Sequence, residues 1–244
     1  MSMYQYRPNN FPPLIKNLMI INALVYLVQV TVGKSFGFTE HTMLYPVMPK
    51  GLLGLAQQSL GADNYIGFQP YQVATYMFLH APDNFLHLLF NMFMLWSFGR
   101  QLEQLWGPKR FLFFYFSCGV GSALLHLAIQ SLRCHELWSV IQSNPAAATA
   151  GFDALAPALG ASGAVMGVLA GYAFLFPNTE MSLLFIPFPI KAKWYVLGIL
   201  FMDVLGFLNF TGQDNIAHMA HLGGALTGAL IVFFWQKSDR RRFY

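Results

Sequence analysis

Charge is what this sequence has least of. Its 244 residues include 14 Lys and Arg and 10 Asp and Glu, so only 10% is charged, against about 25% in typical soluble domains. A soluble domain of this length needs charge to cover its surface and stay dissolved. An ordinary soluble globule is therefore excluded, and so is a disordered chain, which would be poor in apolar residues. Cysteine is scarce too. Cys118 and Cys134 are too few for a disulfide scaffold and define no redox compartment. The basic residues are spread along the chain with a net charge of +4, which does not suggest nucleic-acid binding. No low-complexity tract, repeat or soluble second domain is visible, and the N-terminus lacks the small-x-small site of a cleaved signal peptide. What is abundant is apolar: 56% hydrophobic residues, 24 Phe, 12 Met and a mean hydropathy of +0.47. This composition predicts a polytopic membrane protein whose first partner is the lipid bilayer.

Six apolar runs can be read as spans: 14–32, 84–98 with an amphipathic continuation at 99–106, 111–130, 162–176, 194–210 and 217–235. The predicted class is an all-α membrane protein, one domain over 1–244. Residues 1–13 form a cytoplasmic N-terminal segment, 33–70 a long outer loop with an interfacial apolar piece at 51–60, and 236–244 a basic tail. Basic residues accumulate on the cytoplasmic side of membrane proteins. Arg7, Lys16, Arg100, Lys109, Arg110, Lys191, Lys193, Lys237, Arg240, Arg241 and Arg242 fall on one side, whereas Lys34, Lys50 and Arg133 fall on the other. Both termini are thus expected in the cytoplasm, and spans two, four and six run inward from the outer face. The loop 131–161, rich in Ala, Pro and Gly, is expected outside. The fourth span is about 22 Å long at 1.5 Å per residue, short of the ~30 Å hydrocarbon core. Protein or water must fill the space above its outer end.

Polar side chains inside spans are costly and mark candidate sites. His87 and Asn91, in H-L-L-F-N, share one helix face near the outer end of span two. Ser162, in G-A-S-G (160–163), starts span four, where free N–H groups and the helix dipole can hold an oxyanion. His221 lies in A-H-L-G-G-A-L-T-G (220–228). Gly224 and Gly228 follow on its face, and Gly163, Gly167 and Gly171 give span four a matching small-xxx-small surface. Close packing of the two would bring Ser162 within hydrogen-bond reach of His221. Each motif alone is as compatible with helix packing as with catalysis. Together they supply a nucleophile, a base and oxyanion donors at one depth.

These motifs resemble those of the rhomboid intramembrane serine proteases, in order and on spans two, four and six. F-G-R-Q-L-E-Q-L-W-G (98–107) also resembles the segment after that family's second helix. The similarity covers roughly 68–235, about two-thirds of the chain. It implies a rhomboid-like six-helix bundle and a Ser162–His221 dyad with no third acidic member. His87, Asn91 and the Ser162 N–H would stabilise the oxyanion. It further implies cleavage of single-pass transmembrane substrates near the outer boundary, through a gate between the second and fifth helices. The first loop lacks the Trp-Arg pair that the family often carries there.

Other readings are a non-catalytic rhomboid-like binder of transmembrane helices and, further off, a small transporter; intact Ser162 and His221 speak against the first. Neither cofactor nor metal is expected. His218 and His221 at i, i+3 lack the Glu of a membrane metalloprotease, and no span places a carboxylate near its outer end. Asp203 reads as a mid-span structural hydrogen-bonding group, His218 as a rim residue, His126 as interfacial and His80 as a structural loop residue. Compactness and family analogy suggest a bacterial plasma membrane.

Overall fold

A computed structural model describes residues 11–61, 65–144, 156–181, 188–208 and 216–238. The remainder of the predicted terminal segments, 1–10 and 239–244, and the end of span five beyond 208 lie outside the described residues. Helix α1 is Pro13–Val30, followed by the short α2, Phe38–Thr42, and by α3, Lys50–Leu60. A brief α4, Gln72–Thr75, leads to α5, Phe85–Met94, which continues through one π turn, Leu95–Gly99, into α6, Arg100–Trp106. Then come α7 (Pro108–Ser143), α8 (Ser162–Leu175), α9 (Ala192–Phe207) and α10 (Ile216–Ser238). A two-residue antiparallel ladder, Glu180–Met181 with Ile190–Lys191, precedes α9.

Helix α8 sits at the centre. Every residue from Gly163 to Ala173 is buried, because the helix is apolar all round and offers no polar face to a surface. Helices α5, α7, α9 and α10 pack around it. On the perimeter, Leu24, Phe90, Phe113, Phe201 and Leu226 point outward and are largely exposed. Apolar surface on this scale is stable only against lipid or protein, so the chain is a membrane protein. Among the described residues, three helices are long and apolar enough to cross a bilayer: α1, α7 and residues His218–Ser238 of α10.

Helix α7 corrects one expectation. Its 36 residues reach about 54 Å at 1.5 Å per residue, well beyond a ~30 Å core. The apolar run stops near 130, but S-L-R-C-H-E-L-W-S-V-I-Q-S (131–143) contains neither Gly nor Pro, and nothing breaks the helix there. The overhang carries a second small core. Leu52 and Ala56, one turn apart on α3, pack with Tyr45, Tyr65, Cys134 and Ile141. The apolar piece at 51–60 thus docks on protein, with Gly51 lying flat against Trp138.

Side-chain amides and one acid fasten the rest. Both carboxylate oxygens of Glu103 on α6 accept the first free N–H groups of α1, from Leu14 at 3.0 Å and Ile15 at 2.8 Å; these are groups that a helix start leaves without partners. Gln29, near the end of α1, clamps the His80 backbone in both directions, accepting its N–H and donating to its carbonyl, each at 3.0 Å. Leu44 and Ala158 exchange two 2.8 Å backbone hydrogen bonds, tying the first loop to the segment that leads into α8.

Candidate active site

The turn before Ser162 is set by its backbone. Gly160 has φ of +134°, a conformation that side chains rarely tolerate, and its N–H donates to the Tyr76 carbonyl at 2.9 Å. The Tyr76 hydroxyl in turn donates to the Gly119 carbonyl at 2.7 Å, linking this turn to α7. Two polar side-chain atoms flank the empty side of Gly160. A Cβ there would stand 3.2 Å from His87 Nε2 and 3.4 Å from Ser162 Oγ. Ser162 itself is the first residue of α8, so its N–H has no partner within the helix.

His87 is held by the loop before α5. The Ala81 N–H donates to its Nδ1 at 3.2 Å, which leaves Nε2 as the protonated nitrogen of the neutral ring. Nε2–H is therefore a donor beside Ser162. One turn on, Asn91 spends one amide N–H on the His87 carbonyl at 2.8 Å; its second N–H and its oxygen remain. Ser162, His221, His87 and Asn91 all line one cavity of about 430 Å³, whose apolar wall includes Phe90, Val165, Met166 and Ile199. Helices α5, α8, α9 and α10 each contribute to it.

The glycine surfaces of α8 and α10 meet backbone to backbone. A Cβ added to Gly224 would strike the Gly163 carbonyl, and one on Gly228 the Gly167 carbonyl. Gly163 and Gly167 also face Ser122 and Cys118 of α7, whereas Gly171 faces Phe114 of α7 and Val232 of α10. Small residues permit such close approach within a membrane.

Two sequence readings change. Ser162 and His221 share the cavity wall but are not hydrogen-bonded to each other, whereas the spacing predicted direct reach; such contacts commonly tighten only with substrate. Asp203 is the hydrogen-bonding group the sequence suggested, but its partners lie at the start of α10 rather than at mid-span. Its Oδ1 accepts from His221 Nδ1 at 3.0 Å and from His218 Nδ1 at 2.7 Å. Helix α9 is described to Phe207, one turn past Asp203, which puts this carboxylate level with the start of α10. The apolar run to 210 had made it look central. His218 reaches Asp203 by lying over Gly206, where a side chain would collide with its ring. Asp203, His218 and His221 offer ligand atoms within 4.8 Å of one another, a donor set that would suit zinc.

Two further histidines are deeply buried. His126, read as interfacial, is 1% exposed and packs inside the bundle. His80 is fully buried, edge-on to His87 with ring centroids 5.2 Å apart. Burial, with His87 beside it, pushes its pKa down to about 3, so the ring is neutral. Gln29 explains its placement, and no local pattern in the sequence pairs Gln29 with a loop some 50 residues away.

The fold and the cavity define a class: a helical membrane protein with serine, histidine and asparagine side chains gathered from separate helices around one pocket. Comparison with known proteins narrows it. Residues 67–238 match the family model of the Rhomboid domain, and the chain belongs to the rhomboid family. It is 30% identical over 162 residues to Rhomboid protein 1, mitochondrial, of Saccharomyces cerevisiae, covering 66% of this chain and 41% of that protein. To the human Presenilin-associated rhomboid-like protein, mitochondrial, it is 32% identical over 149 residues, 61% of this chain and 34% of that one. To the Rhomboid-like protease 3 of Toxoplasma gondii it is 26% identical over 221 residues, 90% and 68% of the two chains. The match thus spans less than half of either mitochondrial relative. These relatives are eukaryotic and give no support to a bacterial plasma membrane.

Proposed function

We propose that this chain is a rhomboid-type intramembrane serine endopeptidase that cleaves single-pass transmembrane proteins near the outer membrane boundary. The observation that carries this reading is the convergence of Ser162, His221, His87 and Asn91 on one cavity from three different helices. Family membership makes proteolysis the natural chemistry for that set. In this reading α1, α5–α6, α7, α8, α9 and α10 are six spans of a single domain with both termini cytoplasmic, in keeping with the distribution of basic residues. The cycle needs neither cofactor nor metal.

A substrate helix enters laterally between α5 and α9, whose side chains Phe90 and Ile199 line the cavity. Water reaches the site from above α8, whose 14 residues span only about 21 Å. His221 Nε2 takes the hydroxyl proton of Ser162 as Oγ attacks the scissile carbonyl. The Ser162 N–H, His87 Nε2–H and the second Asn91 N–H donate to the developing oxyanion. His221 then protonates the leaving amine, and water hydrolyses the acyl-enzyme with His221 again as base.

The test uses the full chain in detergent, with a fluorophosphonate probe and a single-pass reporter substrate. Wild type should label and cleave, and Ser162→Ala should do neither while inserting normally. Cleavage by Ser162→Ala would end this reading. Failure of the wild-type serine to label, with the reporter bound but uncut, would favour a non-catalytic binder of transmembrane helices.

A further inference from the structure

Ser162, His87 and Asn91 line the cavity from α8 and α5, but the proposed base must also be held. A histidine can accept the serine proton only if its cavity-facing nitrogen carries none. The other nitrogen must then bear the hydrogen, and something must accept it. The described structure supplies that acceptor on a different helix. Asp203 of α9 is 5% exposed, and its Oδ1 takes His221 Nδ1 at 3.0 Å and His218 Nδ1 at 2.7 Å. Among the described residues its Oδ2 is buried without a partner, and the two imidazoles are the polar contacts that hold this acid in place.

Resting on the proteolytic reading above, we infer that Asp203 is a positioning residue for His221. Its carboxylate holds the hydrogen of His221 on Nδ1, so that Nε2 stays unprotonated and turned to the cavity. The family resemblance implies no such acid. During acylation the serine proton passes to Nε2, giving an imidazolium whose Nδ1–H remains hydrogen-bonded to Asp203. The proton leaves from Nε2 to the departing amine, and Asp203 stays ionised throughout, as the acid does in soluble serine-protease triads. His218 donates to the same oxygen from one turn earlier on α10, a second donor that lessens the cost of burying the carboxylate. His218 does not line the cavity, so it supports Asp203 without contacting substrate.

The experiment measures reporter cleavage by the full chain in detergent, alongside ¹⁵N NMR of labelled histidines. Asp203→Asn should lower kcat by roughly 10²–10⁴-fold while leaving KM within about threefold, because the acid touches no substrate. Asp203→Glu should restore part of kcat. His218→Gln should lose less than about tenfold, since His221 keeps its own bond to Asp203. In wild type, the His221 resonances should report Nδ1–H with Nε2 unprotonated. That spectrum serves as a test even if the Asp203 variants fail to fold, and a resting Nε2–H tautomer would overturn the inference. So would an Asp203→Asn enzyme with wild-type kcat while Ser162→Ala is inactive, a pair of results that spares the proteolytic reading. Loss of activity in EDTA with recovery in Zn²⁺ would assign the cluster to a metal instead and would also overturn it.

Discussion

Adding one methyl group at Gly224 should disable the protein without altering any polar side chain. A Cβ there would lie 2.7 Å from the carbonyl carbon of Gly163 and closer still to its oxygen. Non-bonded carbons settle at about 3.5–4.0 Å, so α8 and α10 must part by roughly 1 Å. The obstruction is backbone on a buried helix, which has no rotamer by which to yield. Overpacking of this kind costs about 1–3 kcal/mol, against which alanine's better helix propensity returns about 1 kcal/mol. The functional effect should be larger than the net loss of stability. Ser162 and His221 ride on the two separated helices, and a misplacement of about 1 Å in a reacting pair can cost about 10²-fold in rate. Gly198→Ala is the control. Nothing lies within 4 Å of a Cβ at that position on α9, so it should leave cleavage unchanged and stabilise by about 0.5–1 kcal/mol. The assays are thermal unfolding in detergent and initial rates on a single-pass reporter. A Gly224→Ala protein with wild-type cleavage would refute the reasoning, because it would mean that the seam can open without disturbing the site.

Other outcomes follow from the same geometry. Asn91→Ala should lower kcat by about 10²–10³-fold if its free N–H serves the oxyanion; an unchanged kcat would remove it from that role. Glu103→Ala should destabilise by about 1–3 kcal/mol, because two N–H groups at the start of α1 lose their acceptor, read as a lower unfolding temperature in detergent with a small effect on probe labelling. His80 gives a pH dependence. Its folded pKa of about 3 lies below the ordinary ~6.5, so the unfolded chain takes up a proton that the folded ring refuses. The stability this adds is complete above about pH 6.5 and is lost as the pH falls toward 3. Wild type should therefore lose unfolding temperature more steeply on acidification than His80→Gln, and equal slopes would contradict the assignment.

Much of the site was legible in the sequence because its residues are conspicuous in an apolar chain. Ser162, His221, His87 and Asn91 stand out against their surroundings, and Gly224, Ala225 and Gly228 at i+3, i+4 and i+7 from His221 point to the face on which α8 and α10 approach. Asp203 was legible as a hydrogen-bonding group but not as the partner of His221. Its contact with His221 depends on where α9 ends relative to α10, and an apolar run cannot fix that end to within a turn. The length of α7 escaped for a similar reason: hydropathy reports where lipid stops, whereas a helix continues until Gly, Pro or a cap ends it. The Glu103 and Gln29 contacts join segments far apart in the chain, and no local pattern announces them.

The pair of hydrogen bonds between Leu44 and Ala158 has a consequence for biogenesis. These residues are 114 positions apart, so the first half of the bond is synthesised well before the second. The segment that leads to Gly160 and Ser162 therefore docks on a loop made much earlier in the chain. The turn before Ser162 is thus tied down by a contact whose second half is made late in synthesis. A chain interrupted before that point would hold His87 and Asn91 on α5 without Ser162 or His221.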